Sequence, residues 1–74
     1  MKVFLTGSFV NWKEQIPMLR EGNEFYLDYP LEQGEHSYKF IVDGEWRYAS
    51  NQPSKLDNGG NINNEIKIQV NLEV

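Results

Sequence analysis

"HSYKFIVDGEWRY", residues 36–48, decides the fold. Asp-Gly between two alternating runs is among the strongest short-range signals of a two-residue hairpin turn. With Asp43 and Gly44 at the tip, the register follows by arithmetic: Val42 faces Glu45, Ile41 faces Trp46, Phe40 faces Arg47 and Lys39 faces Tyr48. Directly opposed residues share a sheet face, as do residues two apart on one strand. Lys39, Ile41, Trp46 and Tyr48 are therefore expected on one face. Tyr38, Phe40 and Val42 are expected on the other, against the main core. A slip of one residue would exchange the two sets.

The same alternation recurs outward from this hairpin. "EIKIQVNLEV" (65–74) sets Ile66, Ile68, Val70, Leu72 and Val74 against Lys67, Gln69, Asn71 and Glu73. "EFYLDY" (24–29) sets Phe25, Leu27 and Tyr29 against Glu24, Tyr26 and Asp28, and "KVFLTG" (2–7) reads as another short strand. Breakers separate these runs: Pro17, "EGN", "PLEQGE" and the long polar stretch "SNQPSKLDNGGN". No segment carries a helical period. Short strands between turn signals predict an all-β, immunoglobulin-like antiparallel β-sandwich, with a small barrel as the alternative closure.

The chain has 74 residues and no internal repeat, so residues 1–74 are expected to form one domain, excised from a longer protein. At that size, folding buries only about 60% of the surface the unfolded chain exposes, and stability should be modest. There is no cysteine, so no disulfide braces the fold; the redox compartment is left open, with an intracellular, cytoplasmic home the best fit. The net charge of −4 comes from scattered carboxylates, and the seven Lys and Arg residues form no cluster. Nucleic acid and anionic membrane are poor partners for such a surface. No apolar run approaches a membrane span, and no signal peptide opens the chain.

Catalytic patterns are equally scarce. With one histidine and no cysteine, the common zinc sets are excluded. "DNGGNINNE" superficially suggests a calcium loop, but glycine stands third from Asp57, where an oxygen ligand belongs. The carboxylate pairs beside turns do not span a cleft, as glycoside hydrolysis needs. Neither a phosphate-binding glycine motif nor a nucleophile elbow is present. No enzyme activity, metal or cofactor is expected.

What remains is an excess of aromatic rings and amides. Trp12 lies in "GSFVNWKE", a polar turn, and Trp46 follows the hairpin. A tryptophan in a small domain is more often core than platform, and both readings stay open. The amides of Asn51, Gln52, Asn58, Asn61, Asn63 and Asn64 read either as turn chemistry or as a rim for sugar hydroxyls. Apolar rings bordered by amides and one cation suit a pyranose, which offers a C–H face and a hydroxyl edge. Single-stranded nucleic acid also stacks on rings, but within a basic groove, and this chain is acidic.

"VFLTGSFVNW", "GEHSYKFIVDGEWRY", "NQP" and "GNINN" together resemble the glycogen-binding module of AMP-activated protein kinase β subunits, in carbohydrate-binding module family 48. The resemblance runs from Val3 to about Val70. It implies an immunoglobulin-like sandwich that binds α-1,4-linked glucans (glycogen, starch, maltooligosaccharides, β-cyclodextrin) without catalysis. By motif it implies stacking tryptophans at Trp12 and Trp46, a sugar-bonding lysine at Lys39 and a loop asparagine at Asn63. Asn61 replaces a family threonine and still offers a hydrogen bond. Where the family carries a leucine that inserts into a curved glucan, this chain has Gly59; Leu56, three residues earlier, is the candidate substitute. Glu21 falls where animal β subunits carry a phosphorylatable serine and reads as a solvated turn residue. Kinase catalytic and γ subunits are implied partners through the parent protein. Two alternatives remain: a protein-interaction domain contacting a kinase subunit, and the targeting module of a glucan-branching enzyme or glucan phosphatase.

Overall fold

The computed structural model describes residues 1–70. Eight short strands follow in order: β1 Val3–Gly7, β2 Ile16–Pro17, β3 Leu19–Glu21, β4 Glu24–Tyr26, β5 Gly34–Val42, β6 Glu45–Arg47, β7 Ser54–Leu56 and β8 Ile62–Ile68. Among the described residues the only helical element is a single 3-10 turn, Ser8–Val10. Every pairing is antiparallel, in a six-stranded sheet ordered β2-β1-β5-β8-β7 with β6 also on β5, and a separate β3-β4 hairpin.

β5 organises the large sheet. One edge pairs with β1 from Tyr38 to Val42, while the other pairs with β8 over its first half and with β6 over its last three residues. β6 and β8 therefore meet end to end along one side of β5. The Asp43-Gly44 turn is as expected: φ is 49° at Asp43 and 85° at Gly44, the doubly left-handed backbone of a tight hairpin whose twist matches its strands. Phe40 faces Arg47, Ile41 faces Trp46 and Val42 faces Glu45.

Three expectations need correction. Lys39 does not face Tyr48, because β6 ends at Arg47. Beyond that point the buried Asn64 takes over Ala49, accepting its N–H at 2.7 Å and donating to its carbonyl at 2.9 Å, which draws the chain toward β7. Tyr48 instead joins Val3, Phe40 and Val42 around a hollow on the opposite face. Ile41 does lie on the Trp46 face, but it is the most buried apolar residue described, 4% exposed, flanked across the strands by Phe4 and Trp46. At Ile41 that face is covered too.

The remaining differences concern strand ends. The run 24–29 is strand only to Tyr26, yet Leu27 and Tyr29 still point inward, lining a hollow with Leu5, Phe9, Tyr38, Phe40 and Ile66. Phe9 packs on Tyr29 with ring centroids 5.2 Å apart. β8 begins earlier than its alternation suggested and ends at Ile68; Val70 is exposed, and Leu72 and Val74 lie outside the described residues. β7 arises within the polar stretch because Ile62–Asn64 offers it a ladder. Pro17 sits on the edge strand β2, where its missing N–H costs no ladder bond.

Candidate carbohydrate-binding groove

Trp12 is positioned by backbone chemistry. After β1 the chain tightens into the 3-10 turn, with the Asn11 N–H donating to Ser8 O at 3.1 Å and the Trp12 N–H to Gly7 O at 2.9 Å. Asn11 and Trp12 both hold positive φ, 54° and 59°. That conformation is ordinary for asparagine but uncommon for a bulky aromatic, and it swings the indole out of the turn. The Ser37 N–H donates to Ser8 Oγ at 3.0 Å and ties the turn to β5. The approach is so close that a Cβ on Gly7 would stand 2.4 Å from both Ser37 O and the Phe9 ring.

Trp46 is placed by the β5-β6 ladder directly beside Ile41, and Lys39 lies two residues along β5 on that face. Half of Trp46 (51%) and over a third of Trp12 (37%) is exposed, so both rings present apolar surface to solvent. Asn63 is paired with Lys55 of β7 and alternates with Asn64, so the adjacent asparagines face opposite ways. Asn64 is fully buried and donates to Ala49 O and Pro53 O, whereas Asn63 opens toward Lys39.

The result is one groove of about 440 Å³ lined by Trp12, Lys39, Trp46, Asp57, Asn61 and Asn63. Five of the six residues singled out in the sequence meet there. Leu56 does not: it is largely exposed and lines a neighbouring hollow with Lys55, Asn58 and Glu65. A larger hollow of about 620 Å³ lies beside β8 between Tyr38, Gln52, Pro53 and Lys55. Size does not make it the stronger candidate, since it contains neither tryptophan. Gln52 is also committed there as acceptor for the Tyr38 hydroxyl, and burial pushes that phenol's pKa up.

Asp57 is the groove residue that sequence reasoning missed. Its Oδ1 accepts the N–H groups of Gly59 and Asn61, each at 2.9 Å, and its Oδ2 accepts Asn63 Nδ2 at 3.2 Å. The Asn61 N–H above all, with Gly59 and the amides of Asn63 and Asn61, holds the Asp57 carboxyl below its ordinary range. An aspartate two residues ahead of Gly59 and four ahead of Asn61 was the available sign, since aspartate commonly closes such turns on backbone N–H groups. Among the described residues no group of three or more His, Cys, Asp or Glu side chains gathers as a metal site would require.

A family model described as the glycogen recognition site of AMP-activated protein kinase matches residues 1–73. The chain is 41% identical over 68 residues to 5'-AMP-activated protein kinase subunit beta-2 of Mus musculus and of Homo sapiens, covering 92% of this chain and 25% of each relative. It is 40% identical over 68 residues to subunit beta-1 of Sus scrofa, covering 92% of this chain and 55% of that one. The chain thus spans about a quarter of the length of the first two relatives.

Proposed function

Because the chain belongs to the family of glycogen recognition sites of AMP-activated protein kinase, we propose that its groove binds α-1,4-linked glucans and targets a kinase β subunit to cytoplasmic glycogen. The observation that carries this reading is the convergence of Trp12, Trp46, Lys39, Asn61 and Asn63 on one open groove. Successive glucose units stack on the two indoles, while Lys39 donates to hydroxyls and the asparagine amides fix orientation. The module itself performs no catalysis, and contacts with kinase catalytic and γ subunits belong to the rest of the parent protein.

Magnitudes agree with a targeting role. If each indole removes about 60–100 Å² of apolar surface from water, each contributes about 1.5–2.5 kcal/mol. Immobilising a flexible oligosaccharide offsets much of that, giving a Kd of about 10 µM to 1 mM for a short glucan. Multivalent glycogen then supplies avidity that one site lacks.

The test is a β-cyclodextrin titration followed through backbone and indole N–H signals. Saturable shifts at both Trp12 and Trp46 are expected, weakened in a folded Trp46→Ala variant. Silence at millimolar ligand, with shifts appearing on addition of a kinase catalytic subunit, would replace the glucan with a protein.

A further inference from the structure

The groove contains an anion that the stacking scheme does not use. Asp57 carries three hydrogen bonds, and the third reaches a side chain of the sugar-facing wall, Asn63 Nδ2. An ionised carboxylate can only accept, whereas an asparagine amide has a donor end and an acceptor end. The contact therefore fixes which end of Asn63 faces Asp57. One Nδ2 hydrogen is committed to Asp57, which leaves Oδ1 as the acceptor end open to a ligand.

We infer that Asp57 is a positioning residue for glucan recognition: by holding Asn63 Nδ2, it turns Asn63 Oδ1 into a fixed acceptor in the groove that Asn63 shares with the donor Lys39. The inference rests on the glucan-binding reading of the groove. It assigns direction to the polar contacts. Lys39 gives hydrogen bonds and cannot accept them, Asn63 accepts, and a sugar hydroxyl pair that donates on one side while accepting on the other is selected.

The charged neighbours leave this arrangement intact. Lys39 of β5 shares the groove, while Lys55 of β7 and Glu65 of β8 line the adjoining hollow with Asp57. Among the described residues the only ion pair joins Arg47 to Glu45 at 2.6 Å, so neither lysine is bridged to Asp57. Glu65 is engaged by the Ser37 hydroxyl at 2.9 Å. The depressed pKa of Asp57 has the matching sign: the three bonds favour its charged form, so Asn63 stays oriented above the ordinary carboxylate range and is released as pH falls through the depressed value.

The experiment uses the 74-residue chain with two readouts. The first is the side-chain NH2 signal of Asn63 in the free protein, followed as a function of pH beside Asp57→Asn. In the wild type this signal should move in a single step as pH falls below the ordinary aspartate range, and the variant should lose that response. The second is a double-mutant cycle on β-cyclodextrin affinity at pH 7. Asp57→Asn should weaken binding about fivefold in the wild-type background, but less than twofold when Asn63→Ala is already present.

An equal cost in both backgrounds would reduce Asp57 to a structural brace of the loop and overturn the inference. A pH-independent Asn63 signal would overturn it as well. If the wild type binds no cyclodextrin but its Asn63 signal follows Asp57, the glucan reading has failed while the orientation of the amide stands.

Discussion

The two walls of the groove are built by different means. Trp12 and Trp46 are set by backbone: a left-handed turn tied to β5 carries one, and a hairpin ladder carries the other. The polar lining hangs instead from a side chain, with Asn61 and Asn63 gathered by the single carboxylate of Asp57. A backbone-built wall is as stable as the sheet behind it and indifferent to pH. A side-chain-built wall can be altered by one substitution or one proton without unfolding anything. Stability and affinity should therefore respond differently to substitutions in the two.

The largest effect is expected at Asn64, which belongs to neither wall but fastens the segment after β6 on which the aromatic wall depends. Its amide accepts from the Ala49 N–H and donates to the carbonyls of Ala49 and Pro53, all within a fully buried site. Asn64→Leu would strand those backbone groups at about 1–3 kcal/mol each, less whatever water recovers, for a loss of about 3 kcal/mol. Chemical denaturation measures it. A change under 1 kcal/mol would show that the 49–53 segment does not need this anchor.

Gly7→Ala comes next. Its Cβ would meet Ser37 O, a backbone atom that cannot step aside, so the Trp12 turn and β5 must part. We expect about 2 kcal/mol of destabilisation, with a shifted Trp12 indole signal and an unmoved Trp46 signal. If both indoles shift equally, the two halves of the aromatic wall are not independently set.

Trp46→Ala reverses the pattern, separating binding from stability. Half-exposed on a three-residue strand, the ring should contribute about 1 kcal/mol or less to folding. Its loss should weaken β-cyclodextrin binding about 10- to 70-fold, the ratio that corresponds to about 1.5–2.5 kcal/mol of stacking. Calorimetry on the folded variant decides it. Affinity within twofold of the wild type would remove Trp46 from the site.

How far these features were legible follows from which rule generates each. The hairpin register was readable because Asp43-Gly44 leaves one geometry and the ladder then counts itself off; this put Lys39 and Trp46 on one face. The burial of Ile41 was not readable, because alternation tells two faces apart without saying whether the second is covered. Trp12 lay beyond periodicity altogether: its exposure depends on a left-handed backbone, and its role entered only through family resemblance. In "NINN" residue type alone does not rank the adjacent Asn63 and Asn64, and Asn63 was singled out only through family resemblance. The register supplies the physical difference, with Asn64 opposite Tyr38 on the core side and Asn63 turned to the groove. Asp57 was passed over because a carboxylate ahead of glycines was weighed as a metal ligand and not as an acceptor for amides.

The smallest predicted effect bears on both walls at once. Gly59 stands where the resembled family carries an apolar residue that enters a curved glucan, and Leu56 lies outside the groove as the chain stands. A Cβ at position 59 would sit 3.3 Å from Asn61 Nδ2 and 3.4 Å from Asp57 Oδ1. Both are side-chain atoms, so a few tenths of an ångström of adjustment suffices. Yet Asp57 Oδ1 is the atom that accepts the Gly59 and Asn61 N–H groups. Gly59→Leu therefore adds apolar contact while pressing on the support of the polar wall. If about 50 Å² of leucine meets the sugar, the gain is about 1.2 kcal/mol; allowing for the adjustment, we expect β-cyclodextrin to bind about threefold more tightly. Tighter binding with an unmoved Asn63 side-chain signal would mean that the aromatic wall can be extended without disturbing the polar one. Weaker binding with a displaced Asn63 signal would mean that glycine is kept at this position because Asp57 needs the space.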